Sequence, residues 1–325
     1  MLALNIFLLI IGFAGLIKGA DWFVDGSSAL AKSFNVSPLI IGLTIVALGT
    51  SAPELAVSTL AAVEGSNEIA VSNVTGSNIF NLLCVLGVCS LIKPVPVNTR
   101  IIKRDFPVSI IITLFVIVGT SIKVLLSGTL FQLKVSEKAG IIGRPVSITL
   151  LVLFVCYIGY LVYDSKKHPV DDDDIPSKPL WKSVILILVG IALIASGGQA
   201  VVTSTKALAK AFGMTETLIG LTVVAVGTSL PELVTSVVAA KKGQTDMAVG
   251  NVIGSNIFNM MFILGVSSTI HPVSVNAASL FDMLILTAVS MVVFAFSLTG
   301  KRINRSEGAV MLLIYIADVA FAIVR

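Results

Sequence analysis

Glu54 and Glu232 each stand deep inside an otherwise apolar stretch. A carboxylate at such depth is costly, so it is a functional candidate by default. Each follows a proline, in Gly49-Thr50-Ser51-Ala52-Pro53-Glu54 and in Gly227-Thr228-Ser229-Leu230-Pro231-Glu232. Proline has no N–H, so Pro53 deprives the Gly49 carbonyl of its helical donor, and Pro231 does the same to Gly227. Free carbonyls at membrane depth are tolerated only inside protein or along a cavity. There they are ready ligands for a hard cation. Thr50, Glu54 and Ser58 are spaced i, i+4, i+8 and share one helix face, and Thr228, Glu232 and Ser236 repeat the row. Asn73, Ser77 and Asn81 form a further row, matched by Asn251, Ser255 and Asn259. These blocks hold no histidine and no matched cysteine. Zinc and copper favour nitrogen or sulfur, whereas Ca2+ takes about 6–8 oxygens, and Na+ is similar in size and equally hard. One Ca2+ neutralises two ionised glutamates; so do two Na+, and a third leaves a single positive charge. Such a site suits mutually exclusive occupancy by Ca2+ or several Na+, as an antiporter requires.

The elements that must carry these rows are membrane helices. The chain has 325 residues, 56% of them hydrophobic and only 12% charged, against about 25% charged in a soluble domain. So much apolar surface has to face lipid. The run from Ile185 to Val202 contains no charge, and about 20 such residues cross a bilayer core. Membrane strands would alternate in polarity, and these runs do not. Ten spans are expected, at 2–30, 38–63, 69–92, 106–126, 141–163, 182–208, 216–240, 247–270, 280–299 and 308–324. The first apolar run lacks a basic start and a cleavage site, so it reads as a span and not a removed signal peptide. Loops after the odd spans hold 14 of the 22 Lys and Arg residues. That places those loops in the cytoplasm and both termini outside it, in a cell (inner or plasma) membrane.

The chain is also duplicated. Residues 44–58 match 222–236 at 10 of 15 positions, and 69–87 match 247–265 at 12 of 19, both at an offset of 178. Each half has five spans, an odd number, so the second half must enter the membrane from the opposite side. The expected fold is therefore all-α and polytopic, two inverted-topology repeats of five helices, a pattern of secondary transporters with a midplane site. The first repeat covers 1–163 with its motif at 44–87. A solvated linker follows at 164–181, and the second repeat covers 182–325 with its motif at 222–265. A merely structural duplication would keep apolar character, but what the halves share is mostly polar, glycine and proline.

Other features have plainer readings. Cys84, Cys89 and Cys156 lie in apolar runs and form no disulfide framework. Asp171–Asp174 lacks the alternation of a calcium loop and reads as a solvated acidic segment. Asp21 and Asp25 read as solvated, Asp318 has no evident role, and Gly76, Gly87, Gly254 and Gly265 read as places of close helix packing. Asn73 and Asn251 are open to either ion binding or helix tying. A Ca2+/H+ antiporter is the nearest rival function, because buried glutamates can carry protons. A passive cation channel is another. A hydrolase using Ser51 or Ser229 is disfavoured, since His168 and His271 both fall in loops. No enzyme activity, cofactor or nucleic-acid partner is expected; the partners are the bilayer and the transported ions, and a single chain should suffice.

The two Gly-Thr-Ser-x-Pro-Glu motifs, paired with Gly76-Ser77-Asn78-Ile79-Phe80-Asn81 and Gly254-Ser255-Asn256-Ile257-Phe258-Asn259, resemble the alpha repeats of the sodium/calcium exchanger family, within the wider cation/Ca2+ antiporters. The short linker is similar to that of compact prokaryotic members. The resemblance implies that Glu54 and Glu232 are central Ca2+ ligands shared with Na+. It implies that Thr50, Thr228, Ser51, Ser229, Ser77 and Ser255 complete flanking Na+ sites, with the carbonyls of Ala47 and Ala225, and that Asn81 and Asn259 line the middle. It further implies alternating access by sliding of the first and sixth helices. Some exchangers carry Asp where this chain has Asn259, so this site has one ionisable group fewer and is more symmetric.

Overall fold

The structure is a computed structural model that describes residues 2–65, 68–128, 134, 137–167, 178–213 and 225–324. Among these residues, eight helices are long and apolar enough to cross a membrane: α1 Leu2–Ser33, α4 Glu68–Ile92, α5 Ile101–Ser127, α6 Arg144–Lys167, α7 Leu180–Ala211, α10 Thr245–Ile270, α11 Ala277–Lys301 and α12 Arg305–Val324. Two further helices, α2 Pro38–Thr50 and α3 Ala52–Val63, bent by 50° at Ser51, are together long and apolar enough for a ninth span. The matching segment of the second half contains α8 Ala225–Thr228 and α9 Leu230–Lys241, and the beginning of that expected span lies outside the described residues.

Local chemistry sets the helix ends. Pro38 starts α2 behind a Ser37 cap, whose hydroxyl accepts from the Ile40 N–H. Gly128 ends α5 with φ +67°. Helix α6 runs to Lys167 and α7 starts at Leu180, so the interval between helices is shorter than the 164–181 linker read from sequence. Asp164 belongs to the helix: it accepts from Arg104 Nη1 at 2.8 Å, while Arg104 Nε and Tyr157 Oη bond Asp105 at 2.7 and 2.9 Å. The Asp171–Asp174 run lies outside the described residues. All three cysteines are free thiols.

Two short ribbons depart from a purely helical fold. Strand β1 (Val95–Pro96) pairs with β4 (Arg302–Ile303), and β2 (Lys138–Ile142) with β3 (Val273–Asn276), both antiparallel. They give loop N–H and C=O groups partners, and each ties a first-half loop to a second-half one.

Burial sorts the helices. In the most apolar window of each, α10 is 89% buried and α4 72%, against 17% for α1 and 11% for α12. The two helices bearing the asparagine rows therefore form the centre. Both loosen into a wide turn at the same place: the Leu86 N–H reaches back to the Asn81 carbonyl and the Leu264 N–H to that of Asn259. Such one-turn widenings accompany functional sites, and helical periodicity alone gave no sign of them. At the periphery α1 and α7 pack backbone to backbone. A Cβ on Gly197 would lie 2.7 Å from the Gly12 carbonyl, and one on Gly190 2.9 Å from that of Gly19.

Overpacking so tight a seam costs about 1–3 kcal/mol. Gly197→Val should lower the thermal unfolding temperature of the detergent-purified protein. Gly159→Ala, where no atom of the described residues beyond the glycine's own chain neighbours and adjacent helix backbone lies within 4 Å of the added carbon, should not lower it.

Candidate cation site

Both helix breaks fall on serine. Ser51 (φ −84°, ψ 8°) and Ser229 (φ −92°, ψ 5°) leave the helix just before Pro53 and Pro231, and the helix then restarts with the glutamate in its first turn. Glu54 and Glu232 are thereby carried into the bundle, where both are fully buried. Among the described residues, no lysine, arginine or histidine bonds either of them. Their partners are hydroxyls, the shorter bonds coming from the opposite half. Ser51 Oγ donates to Glu232 Oε1 at 2.7 Å, and Ser229 Oγ lies 3.0 Å from Glu54 Oε1. Ser77 Oγ adds a 3.4 Å contact to the same Glu54 oxygen and sits 2.9 Å from Ser229 Oγ.

The asparagines close the centre. Asn78 Nδ2 donates to the Asn256 carbonyl and Asn256 Nδ2 to the Asn78 carbonyl, both at 3.2 Å. Asn81 Nδ2 donates to Asn256 Oδ1 at 3.2 Å, and Asn259 Nδ2 to Asn78 Oδ1 at 3.0 Å. Sequence reasoning did not single out Asn78 and Asn256. They sit one residue off the i, i+4 rows, yet their identity at the offset of 178 was the available signal. Asn73 and Asn251 tie helices: their amides donate to Ser58 Oγ at 3.0 Å and to Ser236 Oγ at 2.9 Å.

What remains is a set of acceptors without donors. Glu54 Oε2, Glu232 Oε2, Asn81 Oδ1, Asn259 Oδ1, Thr228 Oγ1 and Ser255 Oγ are buried and make no hydrogen bond. Thr228 approaches the Glu54 carboxylate, and Ser255 that of Glu232. An orphaned buried polar group costs about 1–3 kcal/mol, and more when charged. Six oxygens, two of them on carboxylates, match what a hard cation needs. Thr50 lies in the same network, donating to Asn251 Oδ1 at 3.0 Å. The Ala47 carbonyl already accepts from the Ser51 N–H at 3.0 Å and from Thr50 Oγ1 at 3.3 Å. Ala225 begins α8.

A cavity of about 460 Å³ reaches this centre from one face. Ser77, Asn73 and Thr228 line it, together with Glu68, Asp282 and Asp318. Asp318, unexplained by sequence, is thus a wall of the approach. Asp21 and Asp25 are not in it and are not simply solvated. Both pair with Lys242 at 2.6 Å, and Asp25 also with Lys178 at 3.4 Å. Of the four glycines read as packing sites, Gly87, Gly254 and Gly265 meet neighbouring helices, while Gly76 faces the cavity.

Fold and centre together define a multi-pass helical membrane protein whose core is a shell of oxygens around two buried carboxylates. Comparison with known proteins gives the family. The sodium/calcium exchanger protein model matches residues 4–163 and 182–324. The putative antiporter CaxA of Alkalimonas amylolytica is 40% identical over 328 residues, 97% of each chain. The sodium/calcium exchanger MaX1 of Methanosarcina acetivorans is 34% identical over 342 residues, 98% of each. A structure of the sodium-calcium exchanger NCX_Mj soaked with zero Na+ and Ca2+ superposes with TM-score 0.82 at 30% identity, covering 100% of both chains. The chain belongs to the sodium/calcium exchanger family, whose members are transporters.

Because Asn256 orients Asn81 and braces Asn78, Asn256→Ala should weaken 45Ca2+ binding to the purified protein about tenfold, the worth of one to two net hydrogen bonds. Ser229→Ala removes a hydrogen bond to a charged group, worth about 1.5–3 kcal/mol, and should weaken it roughly 10–100-fold.

Proposed function

We propose that the chain is a secondary antiporter exchanging Ca2+ for Na+ at the Glu54–Glu232 centre by alternating access. The observation that carries this is the pair of fully buried carboxylates with no basic side chain bonded to them among the described residues, in a network that holds four further buried, unpaired oxygens. Two like charges in a dry core demand a counter-charge. None of the described residues supplies one, so the transported ion does. Glu54, Glu232, Thr50, Thr228, Ser51, Ser229, Ser77, Ser255, Asn81 and Asn259 act as side-chain ligands over the cycle, and Ala47 and Ala225 through their carbonyls. Na+ and Ca2+ compete because either can neutralise the pair, and the two together would overcharge it.

The scaffold we infer is ten spans in two inverted repeats, 1–163 and 182–325, working as a single chain in the cell membrane. The reciprocal hydrogen bonds at the offset of 178 support the repeat. The ribbons support the topology, since each joins loops that the ten-span reading puts on one side: those after the third and ninth spans, and those after the fourth and eighth. With both termini outside, the open cavity faces outward, because Glu68 and Asn276 at its edge adjoin the loops after the second and eighth spans.

The test is 45Ca2+ uptake into liposomes loaded with Na+ and diluted into Na+-free buffer, with a pH-gradient control. Uptake should require internal Na+ and fall by roughly 100-fold or more in Glu54→Gln and Glu232→Gln, since removing one member of a buried charge pair costs about 3–5 kcal/mol. Retained exchange in both variants would remove the site, and uptake driven by the pH gradient alone would replace Na+ by H+ as the coupling ion.

A further inference from the structure

Most of the hydrogen bonds of one half recur in the other; they differ at Ser77, which contacts Glu54, Ser229 and Asn259 where Ser255 makes no hydrogen bond, and at the two threonines. Asn73 and Asn251 both hold a serine on the preceding helix. Ser51 and Ser229 both reach the opposite glutamate, and Asn78 and Asn256 are reciprocal. Yet Thr50 donates to Asn251 Oδ1 at 3.0 Å, while its counterpart Thr228 makes no hydrogen bond and lines the cavity beside Asn73. The glycines one turn along divide in the same way. A Cβ on Gly254 would meet the Leu43 carbonyl at 2.7 Å and the Ala47 Cβ at 2.9 Å, whereas among the described residues nothing lies within 4 Å of one on Gly76.

Adding 178 to the cavity-lining residues Val57, Glu68, Asn73 and Ser77 gives Thr235, Asp246, Asn251 and Ser255. Thr235, Asn251 and Ser255 are fully buried, and Thr235 Oγ1 and Ser255 Oγ have no partner. Buried hydroxyls left this way are anomalous in a packed core but ordinary along a path that fills with water in another state. The mouths correspond too: Asn276 Nδ2 donates to Glu68 Oε2 at 3.0 Å and Asn98 Nδ2 to Asp246 Oδ2 at 3.4 Å, the first pair exposed and the second part-buried.

We propose that Asn251 is a positioning residue: by accepting from Thr50 it holds shut a second access path, the mirror image of the open cavity, lined by Thr235, Asp246 and Ser255. Asn73 takes the same part toward Thr228 when that path opens and the cavity closes. The exchange of one threonine–asparagine bond for the other lets the path switch at little net cost, since each state makes one such bond and leaves the other unmade. The inference rests on the alternating-access reading, because a residue can bias two states only if two exist. Its test reads accessibility, not ion flux.

In a Cys156→Ser background, Val57→Cys reports the open cavity and Thr235→Cys its mirror. The protein is held in nanodiscs, so a sulfonated maleimide reaches both faces, and a reporter-free control corrects for Cys84 and Cys89. The Val57→Cys reporter should label faster. Adding Asn251→Ala should raise Thr235→Cys labelling relative to Val57→Cys by about three- to tenfold, the population shift that one hydrogen bond can hold. Adding Asn73→Ala should lower that ratio. Asn251→Leu, similar in volume, replaces the alanine variant if that one does not fold. Opposite shifts from mirror substitutions are something general loosening cannot produce. An unchanged ratio in the Asn251 variants, or both substitutions raising both rates, overturns the proposal. If Asn251→Ala shifts the ratio while Na+ and Ca2+ do not, the latch stands and the ion assignment falls. If the ions shift it and Asn251→Ala does not, the latch falls and the antiporter reading stands.

Discussion

Two carboxylates buried at the middle of an apolar bundle, with no basic residue bonded to them among the described residues, are the constraint that organises this protein. Their charge is intolerable in a dry core unless something compensates it. The chain answers in part with serine hydroxyls and approaching threonines. It leaves one oxygen of each carboxylate, and one of each central asparagine, without a donor. A core that satisfied those atoms internally would be more stable and would have no use for a cation. On the proposed function, the incompletely satisfied shell is what would make the centre a binding site instead of a structural ion network. The Arg104–Asp105–Asp164 cluster supplies the contrast, being buried acid with its own base.

The geometry follows from that need. Proline after a serine break swings each glutamate inward, and the wide turns at Asn81 and Asn259 alter the helix where the two central helices meet. Across that meeting the bonds run from one half to the other: serine to opposite glutamate, asparagine to opposite asparagine. Neither half can assemble the centre alone. The duplication is therefore a means of building a closed oxygen shell from two open ones.

Symmetry of sequence does not mean symmetry of state. The same threonine, asparagine and glycine are packed in one half and open to a cavity in the other. A structure with two equivalent halves must choose which to open if it is to admit ions from one side at a time. On the alternating-access proposal that choice is energetically shallow, because the interactions lost on one side are of the kind gained on the other.

Much of this was legible in the sequence. The membrane class came from composition. The duplication came from polar identities at one offset, and the centre came from acids where acids are expensive. Those are local facts: hydrophobicity, helical spacing and the missing N–H of proline act within a few residues. Asn78 and Asn256 were not legible as partners, because their bonds span 178 residues and lie off the helical rows. Nor was the pairing of Asp21 and Asp25 with Lys242, nor the placing of Asp318 on the cavity wall, since nothing local says which distant helix a side chain will meet. The wide turns reflect packing of two particular helices, and the ribbons reflect which loops become neighbours. Which half stands open is set by packing between elements whose sequences are nearly the same. The sequence determined what chemistry each half carries; the tertiary structure decided which atoms share it and which side they face.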